Sequence, residues 1–300
     1  MTTVNDRFDR LRSEPLVPAG RPAGGTVGSL REIVGQRQLL DLLIRRDLKS
    51  RYKDSVLGFA WTLIRPLVQL FIYWLILGQI LGSARAIPEF AIYIFAGLTI
   101  YGLFSEIVSG ATGSVVANAG LLKKVYVPRE IYPLSSVGGA LFNFGVQLVI
   151  LLLATLAFRA FPSDVGILYF FPTVALVLIW GTAIGLLFSA LNVYLRDMAY
   201  LVEVLMMLLM WASPIVYSWQ MVFERASSGA WAWVLPFYTN NPITLAVLGM
   251  HRSFWTAGGP EHYPDHLLLR MGIAIAVGLV ALFFCQRAFA KLQGNFAQEI

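Results

Sequence analysis

The chain has 300 residues, of which 57% are hydrophobic and 13% are charged, and its mean hydropathy is +0.68. In soluble domains about a quarter of the residues are charged. The lower charged fraction of this chain therefore excludes a soluble protein, and the composition predicts an all-α integral membrane protein. The net charge of +6 does not indicate a nucleic-acid partner, since the basic residues gather on one side of the predicted topology. The single cysteine, Cys285, excludes an intrachain disulfide.

The N-terminal part consists of a tail and a basic amphipathic helix. Residues 1–29 are rich in Pro, Gly and Arg, which predicts a flexible cytoplasmic tail. Residues 30–57 have apolar side chains at three- to four-residue spacing, a pattern typical of a helix that lies flat on an anionic membrane surface. A solvated helix in front of an ordinary span is the alternative. The cationic side chains of this amphipathic helix are Arg45, Arg46, Lys49, Arg51 and Lys53.

Residues 58–300 form one predicted transmembrane domain with six spans. Each apolar segment approaches the roughly 20 residues that cross a bilayer core. The predicted spans are 58–82, 90–116, 134–158, 168–193, 199–219 and 267–287. Proline residues at 88 and 133 mark two of the boundaries.

The distribution of Lys and Arg orients these spans. The segment 1–57 holds eleven of them, and the loop 117–133 holds three. The opposite side holds only four, which are Arg85, Arg159, Arg225 and Arg252. This excess predicts a multi-pass protein with both termini in the cytoplasm.

The segment 220–266, between predicted spans 5 and 6, is too long for a tight turn and too apolar for a solvated loop. Asn241 and Pro242 form a helix-start signal ahead of a short apolar run. A run of about 10–14 apolar residues is typical of a re-entrant or interfacial segment. We therefore predict two short helices that enter the outer leaflet and turn back, with a loop packed on the outer surface as the alternative.

The sequence carries no recognisable catalytic or metal-binding motif. It has no G-x-x-x-x-G-K-[ST] phosphate loop, no H-E-x-x-H pair and no G-x-S-x-G elbow. His251, His262 and His266 fall in the outer segment without a neighbouring cysteine, which favours solvated surface residues over a metal site. We expect no metal and no cofactor in this chain, and no reaction that it performs alone.

The loop 117–133, between predicted spans 2 and 3, has the sequence ANAGLLKKVYVPREIYP. Two leucines, two lysines and a short apolar run predict an amphipathic helix that Pro128 stops. Such a helix is suited to dock a cytoplasmic partner through charge-paired contacts around an apolar plug. A positively charged loop without a binding role is the alternative.

Several stretches together resemble one family. RDLKSRYKDSVLGFAWTLIRP, LLKKVYVPREIYP, LRDMAYLVEVLMMLLMWASPIVYS and NNPIT are similar to the membrane subunit of type-2 ABC exporters. The resemblance is to the polysaccharide branch, the Wzm permease of O-antigen export and its teichoic-acid relatives, and it covers about residues 36–298. The tail resembles actinobacterial members proposed to move the galactan precursor in cell wall biogenesis.

The resemblance implies a homodimer of six-span permease subunits in a bacterial inner membrane, bound to two copies of a separate ATPase. The partner would hold ATP and Mg²⁺, and this chain would export a lipid-linked polysaccharide without being an enzyme. The basic helix would be an interface helix, and the helix between spans 2 and 3 would seat on the ATPase. Residues assigned to this coupling contact are Leu121, Leu122, Lys123, Lys124, Val125, Tyr126, Arg129 and Glu130.

The resemblance also implies paired re-entrant helices that gate the outer end of the path. Residues assigned to this gate are Pro214, Tyr217, Asn241 and Pro242. The stretch MVFERASSGAWAWVLPFYTN lengthens the connection between the SPIVY and NP motifs beyond what is typical of the family.

A sugar polymer needs a wide, hydrated path, and aromatic faces pack against the C–H faces of sugar rings. Ionisable groups within spans are costly unless they are paired or hydrated. Glu106 is therefore expected to face a hydrated cavity or the dimer seam, with a structural ion pair as the alternative, and Arg65 is expected to reach the inner surface or Glu203. Candidate path residues are Tyr73, Trp74, Tyr101, Phe104, Glu106, Asn143 and Trp211.

Two other predictions concern lipid binding and helix packing. If the cargo is a polyprenyl-diphosphate-linked glycan, the basic helix is suited to bind its anionic head at the inner leaflet. Gly181 and Gly185 form a small-xxx-small pair that lets two helices approach closely.

Two other functions compete with export by an ABC permease. A membrane-embedded glycosyltransferase or ligase acting on lipid-linked sugars would need paired acidic residues on an aqueous face. The sequence gives no sign of such pairing among the external carboxylates, which are Asp164, Glu224, Glu261 and Asp265. An ATP-independent carrier is disfavoured because the spans show no internal repeat.

Overall fold

The computed structural model describes residues 26–52, 60–80, 87–122, 127–162, 164–227, 229 and 232–299. Every regular element in these ranges is a helix, which confirms the all-α prediction. The α-helices are α1 (Thr26–Gly35), α2 (Arg37–Tyr52), α3 (Ala60–Ile72), α4 (Phe90–Ala117), α5 (Ala119–Leu122), α6 (Ile131–Ala157), α7 (Phe170–Tyr194), α8 (Met198–Trp211), α9 (Trp219–Ser227), α10 (Leu235–Thr239), α11 (Pro242–Phe254), α12 (Leu267–Leu292) and α13 (Phe296–Glu299). A π-helix over Tyr73–Ile80 continues α3, and 3₁₀-helices occupy Val165–Tyr169, Pro260–His262 and Gln293–Asn295.

Four helical segments of the described chain are long and apolar enough to cross a bilayer. They are Phe90–Ala117, Ile131–Ala157, Val165–Tyr194 and Pro260–Asn295, and they correspond to predicted spans 2, 3, 4 and 6. The predicted spans 1 and 5 correspond to shorter apolar helices, α3 and α8. Residues 58–59 and 81–82 of predicted span 1 lie outside the described residues. The count of six spans stays a prediction.

Helix α8 ends at Trp211, eight residues before the predicted end of span 5 at 219. The chain turns after Trp211, where Pro214 cannot supply the backbone N–H that a continued helix requires. The next residues, Ile215 and Val216, are apolar, so hydropathy alone placed the end of span 5 after the turn instead of before it.

Helix α4 lies at the centre of the bundle. Most of its residues are buried, and Ile94, Ile100 and Ile107 are fully inaccessible. It packs against α6, α7 and α11, and α7 packs in turn against α12. A mostly apolar helix is expected in such a position, because most of its surface contacts other helices.

Gly181 and Gly185 on α7 allow α4 to approach closely. A Cβ atom built on Gly185 would lie 2.8 Å from the Cβ of Ala111, and one on Gly181 would lie 3.1 Å from Cγ2 of Ile107. Both distances are shorter than ordinary packing contacts, so larger side chains would push the helices apart. The predicted small-xxx-small packing role is confirmed.

One end of the bundle joins the N-terminal and C-terminal parts of the described chain. Leu43 of α2, Ile131 at the start of α6, Val193 of α7 and Phe296 of α13 belong to one buried apolar cluster. We call it the Leu43 cluster. The hydroxyl of Tyr194 donates to the carbonyl of Leu292, 2.7 Å away, at the same end. Helix α2 and the end of the chain are therefore neighbours.

The other end of the bundle is built by the segment after α8. This segment forms α9, α10 and α11 rather than a loop. Asn241 caps α11 by accepting a 3.0 Å hydrogen bond from the backbone N–H of Ile243, which confirms the predicted helix start. The indole N–H of Trp255 donates to the carbonyl of Pro88, 2.7 Å away, and ties this segment to the start of α4.

The prediction that His251 is a solvated surface residue is wrong. Its side chain is fully buried, and its ring stacks on Tyr93 with centroids 3.8 Å apart. The reason is that α11 packs between α4 and α7 instead of covering the outside of the bundle. His262 is partly buried and His266 is exposed.

Candidate functional site

A stripe of small and polar residues runs along one face of α4. Gly102, Ser105, Glu106 and Ser109 recur at a spacing of three and four residues, so they share one side of the helix. They line a cleft of about 320 Å³ whose other walls include side chains of α3, α6 and α8. We call it the central cleft. Pro66, Gln69, Gln147 and Met210 complete its polar and apolar walls.

Glu106 is the ionisable residue of the central cleft. The side-chain amide of Asn143 on α6 donates a hydrogen bond of 2.5 Å to Oε1 of Glu106. Hydrogen bonds to a charged acceptor are among the stronger ones in proteins, so this contact both offsets desolvation of the carboxylate and fixes its position. The two residues were predicted as path residues separately, and the structure brings them together.

The aromatic residues predicted for a path are not all at this cleft. Tyr101 lines the cleft and its hydroxyl donates to the carbonyl of Met206 on α8. Phe104 is 1% exposed in the core of the bundle, so it does not line the cleft. Tyr73 is half-buried against the core, whereas Trp74 and Trp211 are exposed on the outside of the chain.

The cleft residues that were missing from the predicted set include the polar residues Gln69, Ser105 and Ser109. The helical spacing of Ser105 and Ser109 with Glu106, inside an otherwise apolar helix, was the signal that could have found them. Gln69 has no such neighbour in sequence, and only the packing of α3 against α4 brings it to the cleft.

The described residues among those predicted to contact an ATPase lie at or beside the Leu43 cluster. Leu121 and Leu122 of α5 pack against it, and the guanidinium of Arg129 lies 5.7 Å from the centre of the Phe296 ring. Glu130 was predicted to form a surface contact, but its side chain is 3% exposed, so it belongs to the interior of this end. Lys123, Lys124, Val125 and Tyr126 lie outside the described residues.

Helix α2, the predicted interface helix, turns its apolar side towards the protein rather than towards lipid. Leu43 is 4% exposed, and a Cβ atom on Gly138 of α6 would collide with Ile44. The guanidinium of Arg46 donates to the side-chain oxygen of Asn118 at the end of α4, at 2.6 Å. This contact joins α2 to the end of the central helix.

The other cationic residues of α2 differ from Arg46 in their surroundings. Arg45 is 70% exposed and forms a 2.8 Å ion pair with Asp41 on its own helix. Lys49 is exposed. The side chains of Arg51 and Lys53 lie outside the described part of the chain. Arg45 and Lys49 are therefore two of the described cations of α2 that are accessible to lipid or to a partner, and Arg37 is a third.

The predicted outer-gate residues occupy two neighbouring elements. The hydroxyl of Tyr93 on α4 lies 3.1 Å from the carbonyl oxygen of Pro214 and 2.9 Å from that of Tyr217, so it donates to this turn. The hydroxyl of Tyr217 donates to the carbonyl of Trp211 at 2.8 Å. Asn241 and Pro242 begin α11, which packs against α4. No local pattern indicates that Tyr93 holds the turn, because Tyr93 and Pro214 are 121 residues apart in the chain.

The remaining ionisable residues are distributed as follows. Glu203 is exposed on α8, and the side chain of Arg65, its predicted partner, is outside the described residues.

Asp164 forms a 3.2 Å ion pair with Arg252. The other external carboxylates, Glu224, Glu261 and Asp265, line a second cleft together, which the sequence did not indicate. Among the described residues, no group of His, Cys, Asp or Glu is arranged to hold a metal ion.

Comparison with known proteins identifies the family. Residues 38–254 match the ABC-2 type transporter family. The chain is 29% identical over 272 residues to the O-antigen export system permease protein RfbA of Myxococcus xanthus, covering 90% of this chain and 98% of the relative. It is 29% identical over 264 residues to RfbA of Klebsiella pneumoniae, covering 87% and 95%. It is 24% identical over 187 residues to the polysialic acid transport protein KpsM of Escherichia coli, covering 61% and 70%. Since the family match spans more than half of the chain, this protein belongs to the ABC-2 type transporter family.

Proposed function

We propose that this chain is the permease subunit of an ATP-driven exporter that moves a lipid-linked polysaccharide from the cytoplasmic side to the outer side of a bacterial plasma membrane. The observation that carries the proposal is similarity to O-antigen export permeases along 98% of the length of the Myxococcus relative. The central cleft supports it, because a carboxylate held in a polar groove between apolar helices is typical of a transport path.

The proposed topology has six spans with both termini in the cytoplasm. Four helices meet the length and hydropathy expected of a span, and α3 with its π-helical continuation and α8 supply the other two. A chain that crosses the membrane an even number of times has the segments before its first span and after its last span on the same side. The Leu43 cluster supports this arrangement, because it joins α2 and α13 at one end of the bundle. The predominance of Lys and Arg in the N-terminal arm assigns that end to the cytoplasm.

The proposed motor is a separate ATPase, two copies of which bind a homodimer of this chain and hold ATP and Mg²⁺. The docking surface is the end of the bundle around the Leu43 cluster, where Leu121, Leu122 and Arg129 lie. Closure of the ATPase on ATP would displace this surface and move α4 and its neighbours as rigid bodies. The exposed Arg45 and Lys49 of α2 are suited to bind the phosphates of the cargo lipid at the inner leaflet.

The proposed cargo is a neutral cell-wall glycan such as a galactan, carried on a polyprenyl diphosphate. The hydroxyl groups of neutral sugars match the mixture of carboxylate, amide and hydroxyl groups in the central cleft. The resemblance of the Pro-, Gly- and Arg-rich tail to actinobacterial members also favours this cargo.

Deletion of the gene separates export from the alternative function. If the chain is an exporter, its loss should leave full-length lipid-linked glycan in the cytoplasmic leaflet, out of reach of an impermeant glycosidase added to intact cells. A membrane-embedded glycosyltransferase or ligase would instead leave shortened or unligated glycan on the outer side. Deletion of the partner ATPase is the matched control and should give the same accumulation, which mass spectrometry of extracted lipids would detect.

A further inference from the structure

The second cleft lies at the end of the bundle opposite the Leu43 cluster. Helix α12 connects the two, because Arg270 near its start lines the cleft and Phe289 near its end belongs to the cluster. The cleft has a volume of about 650 Å³, within the roughly 300–1,000 Å³ of small-molecule sites. Its walls come from α9, α10 and the Pro260–His262 turn. We call it the Trp219 cleft.

One wall of the Trp219 cleft is aromatic and held in place. The rings of Trp219 and Phe223 stack with centroids 5.0 Å apart and an interplanar angle of 27°. The indole N–H of Trp219 donates to the hydroxyl of Thr239 at 3.2 Å. Trp219 is 7% exposed and Phe223 is 41% exposed, so Phe223 supplies the accessible ring face. A fixed aromatic face suits the C–H side of a sugar ring.

The facing wall is polar and preorganised. The guanidinium of Arg270 donates to the side-chain oxygen of Asn240 at 2.7 Å and to the carbonyl of Asp265 at 2.8 Å. Next to the aromatic wall, on the same helix α9, the amide of Gln220 donates to Glu224 at 2.8 Å. These contacts hold side chains with both donor and acceptor groups around the cleft, as recognition of hydroxyl groups requires.

The charge of the cleft selects among ligand classes. Glu224, Glu261 and Asp265 supply three carboxylates against the single guanidinium of Arg270. Such a site repels anionic sugars at neutral pH. A divalent cation does not explain these carboxylates, since the described residues include no group arranged as a metal site.

We propose that the Trp219 cleft is a second glycan-binding site, which takes a neutral oligosaccharide segment with one ring stacked on Phe223 and its hydroxyl groups bonded by the facing polar wall. This inference rests on the proposed function for the identity of its natural ligand. It adds to that function a binding site at the exit end of the protein, separate from the central cleft, and a preference for neutral over acidic glycans.

Binding can be tested on the full chain in lipid nanodiscs without ATPase or nucleotide. Saturation-transfer NMR would be recorded with tetrasaccharides of galactose, glucose or mannose and with a sialic acid tetramer. We expect saturation of ring C–H protons for at least one neutral tetrasaccharide and none for the sialic acid tetramer. Phe223→Ala should weaken the neutral interaction about three- to tenfold, and Phe223→Tyr should retain it.

Phe237→Ala is the matched control, because Phe237 is 74% exposed on α10 and does not line the cleft. This variant should bind like the unmodified chain. The proposal is overturned if no neutral tetrasaccharide binds, if the sialic acid tetramer binds equally well, or if the two alanine variants weaken binding alike. Because the assay needs no transport, absent binding with normal export would reject this site while leaving the proposed function intact.

Discussion

Glu106 and Asn143 form a polar pair inside an apolar bundle. A carboxylate at the centre of a transmembrane helix costs about 2.5–3.5 kcal/mol on insertion scales. The 2.5 Å hydrogen bond from Asn143 and the position of Glu106 at the central cleft both reduce that cost. The pair is therefore expected to contribute to the stability of the fold as well as to the path.

A double-mutant cycle measures this contribution. Glu106→Leu and Asn143→Leu should show a coupling free energy of about 1.5–3 kcal/mol, the usual range for a hydrogen bond to a charged group. The free energy of unfolding would be obtained by titrating the purified chain from mild detergent into dodecyl sulfate. The control pair Glu106→Leu and Asn192→Leu should be additive within roughly 0.5 kcal/mol, because the side-chain amide of Asn192 on α7 donates to the carbonyl of Thr112 instead. Additivity of the first pair would contradict the assignment.

Gly185 permits the close contact of α4 and α7. Gly185→Ala places a methyl group 2.8 Å from the Cβ of Ala111, so the free energy of unfolding should fall by about 1–3 kcal/mol. Gly145→Ala is the matched control, since a Cβ atom there meets no atom within 4 Å. The same detergent titration compares them, and equal stabilities of the two variants would refute the packing role.

Residue-level prediction from the sequence succeeded where a local pattern determines the outcome. The spacing of Gly181 and Gly185 and the Asn-Pro start of α11 each depend on neighbouring residues alone. It failed for His251 and Glu130, because their burial depends on which distant helix packs over them. Helical periodicity identifies the side of a helix that a residue occupies, but it does not identify which other helix packs against that side.

At the scale of elements, α4 connects the two ends of the protein. Its 28 residues span roughly 42 Å at the usual rise of a helix. Tyr93 near its start bonds the turn at Pro214 and Tyr217, and Asn118 at its end accepts from Arg46. A rigid helix with contacts at both ends is suited to transmit displacement from the coupling surface to the outer turn.

Tyr93→Phe tests this transmission. Loss of the hydroxyl removes the donor to the carbonyls of Pro214 and Tyr217, so a displacement of α4 should no longer move the turn. We expect export by the assembled complex to fall about tenfold, the consequence of losing one buried hydrogen bond of average strength. ATP hydrolysis should continue at its former rate, and both rates would be measured in vesicles.

The control for this experiment is Tyr200→Phe, because Tyr200 is 71% exposed on α8. It should leave export and hydrolysis unchanged. If Tyr93→Phe preserves export, or if it lowers hydrolysis and export in parallel, α4 does not act as the connection described.

Helix α2 is held by Arg46 rather than by its other described cations. Arg46→Ala removes the 2.6 Å bond to Asn118 and should increase hydrogen exchange of the α2 backbone. Arg45→Ala removes only an exposed ion pair within the helix and should change exchange little. Mass spectrometry of both variants gives the comparison. Similar protection in the two variants would show that the Asn118 contact does not anchor α2.

Element prediction from the sequence was accurate for long apolar runs and weaker elsewhere. The helices corresponding to spans 2, 3, 4 and 6 were found close to their predicted positions. The end of α8 was misplaced, because the turn at Pro214 lies within apolar sequence. The three short helices that follow were not separable by hydropathy. Helix α11 is buried by packing against α4 and α7, whereas α9 and α10 pack mainly against each other and the neighbouring short helices.

At the scale of the whole molecule, the two ends of the bundle have different properties. The end around the Leu43 cluster carries the described residues that were predicted for coupling, and the basic helix α2. The opposite end carries α9 to α11 and the Trp219 cleft, with the central cleft between α3, α4, α6 and α8. This polarity fits a permease that receives mechanical work at one end and releases its cargo at the other.

The class of the molecule followed from composition, and its family from several quoted stretches of sequence. The arrangement of the subunits could not be deduced in the same way, because the contacts between copies depend on surfaces that no single-chain pattern specifies. The exposed apolar sides of α3 and α8, including Phe71 and Met207, are among the surfaces available to lipid or to a second copy.

The measurement that tests the central claim most directly is translocation of a labelled lipid-linked glycan in reconstituted vesicles. The vesicles would contain this chain alone, the chain with its ATPase, or the chain with an ATPase unable to hydrolyse ATP, and an impermeant glycosidase would report which leaflet holds the glycan. We predict translocation only when ATP and an active ATPase are both present. Translocation by the chain alone would contradict the account.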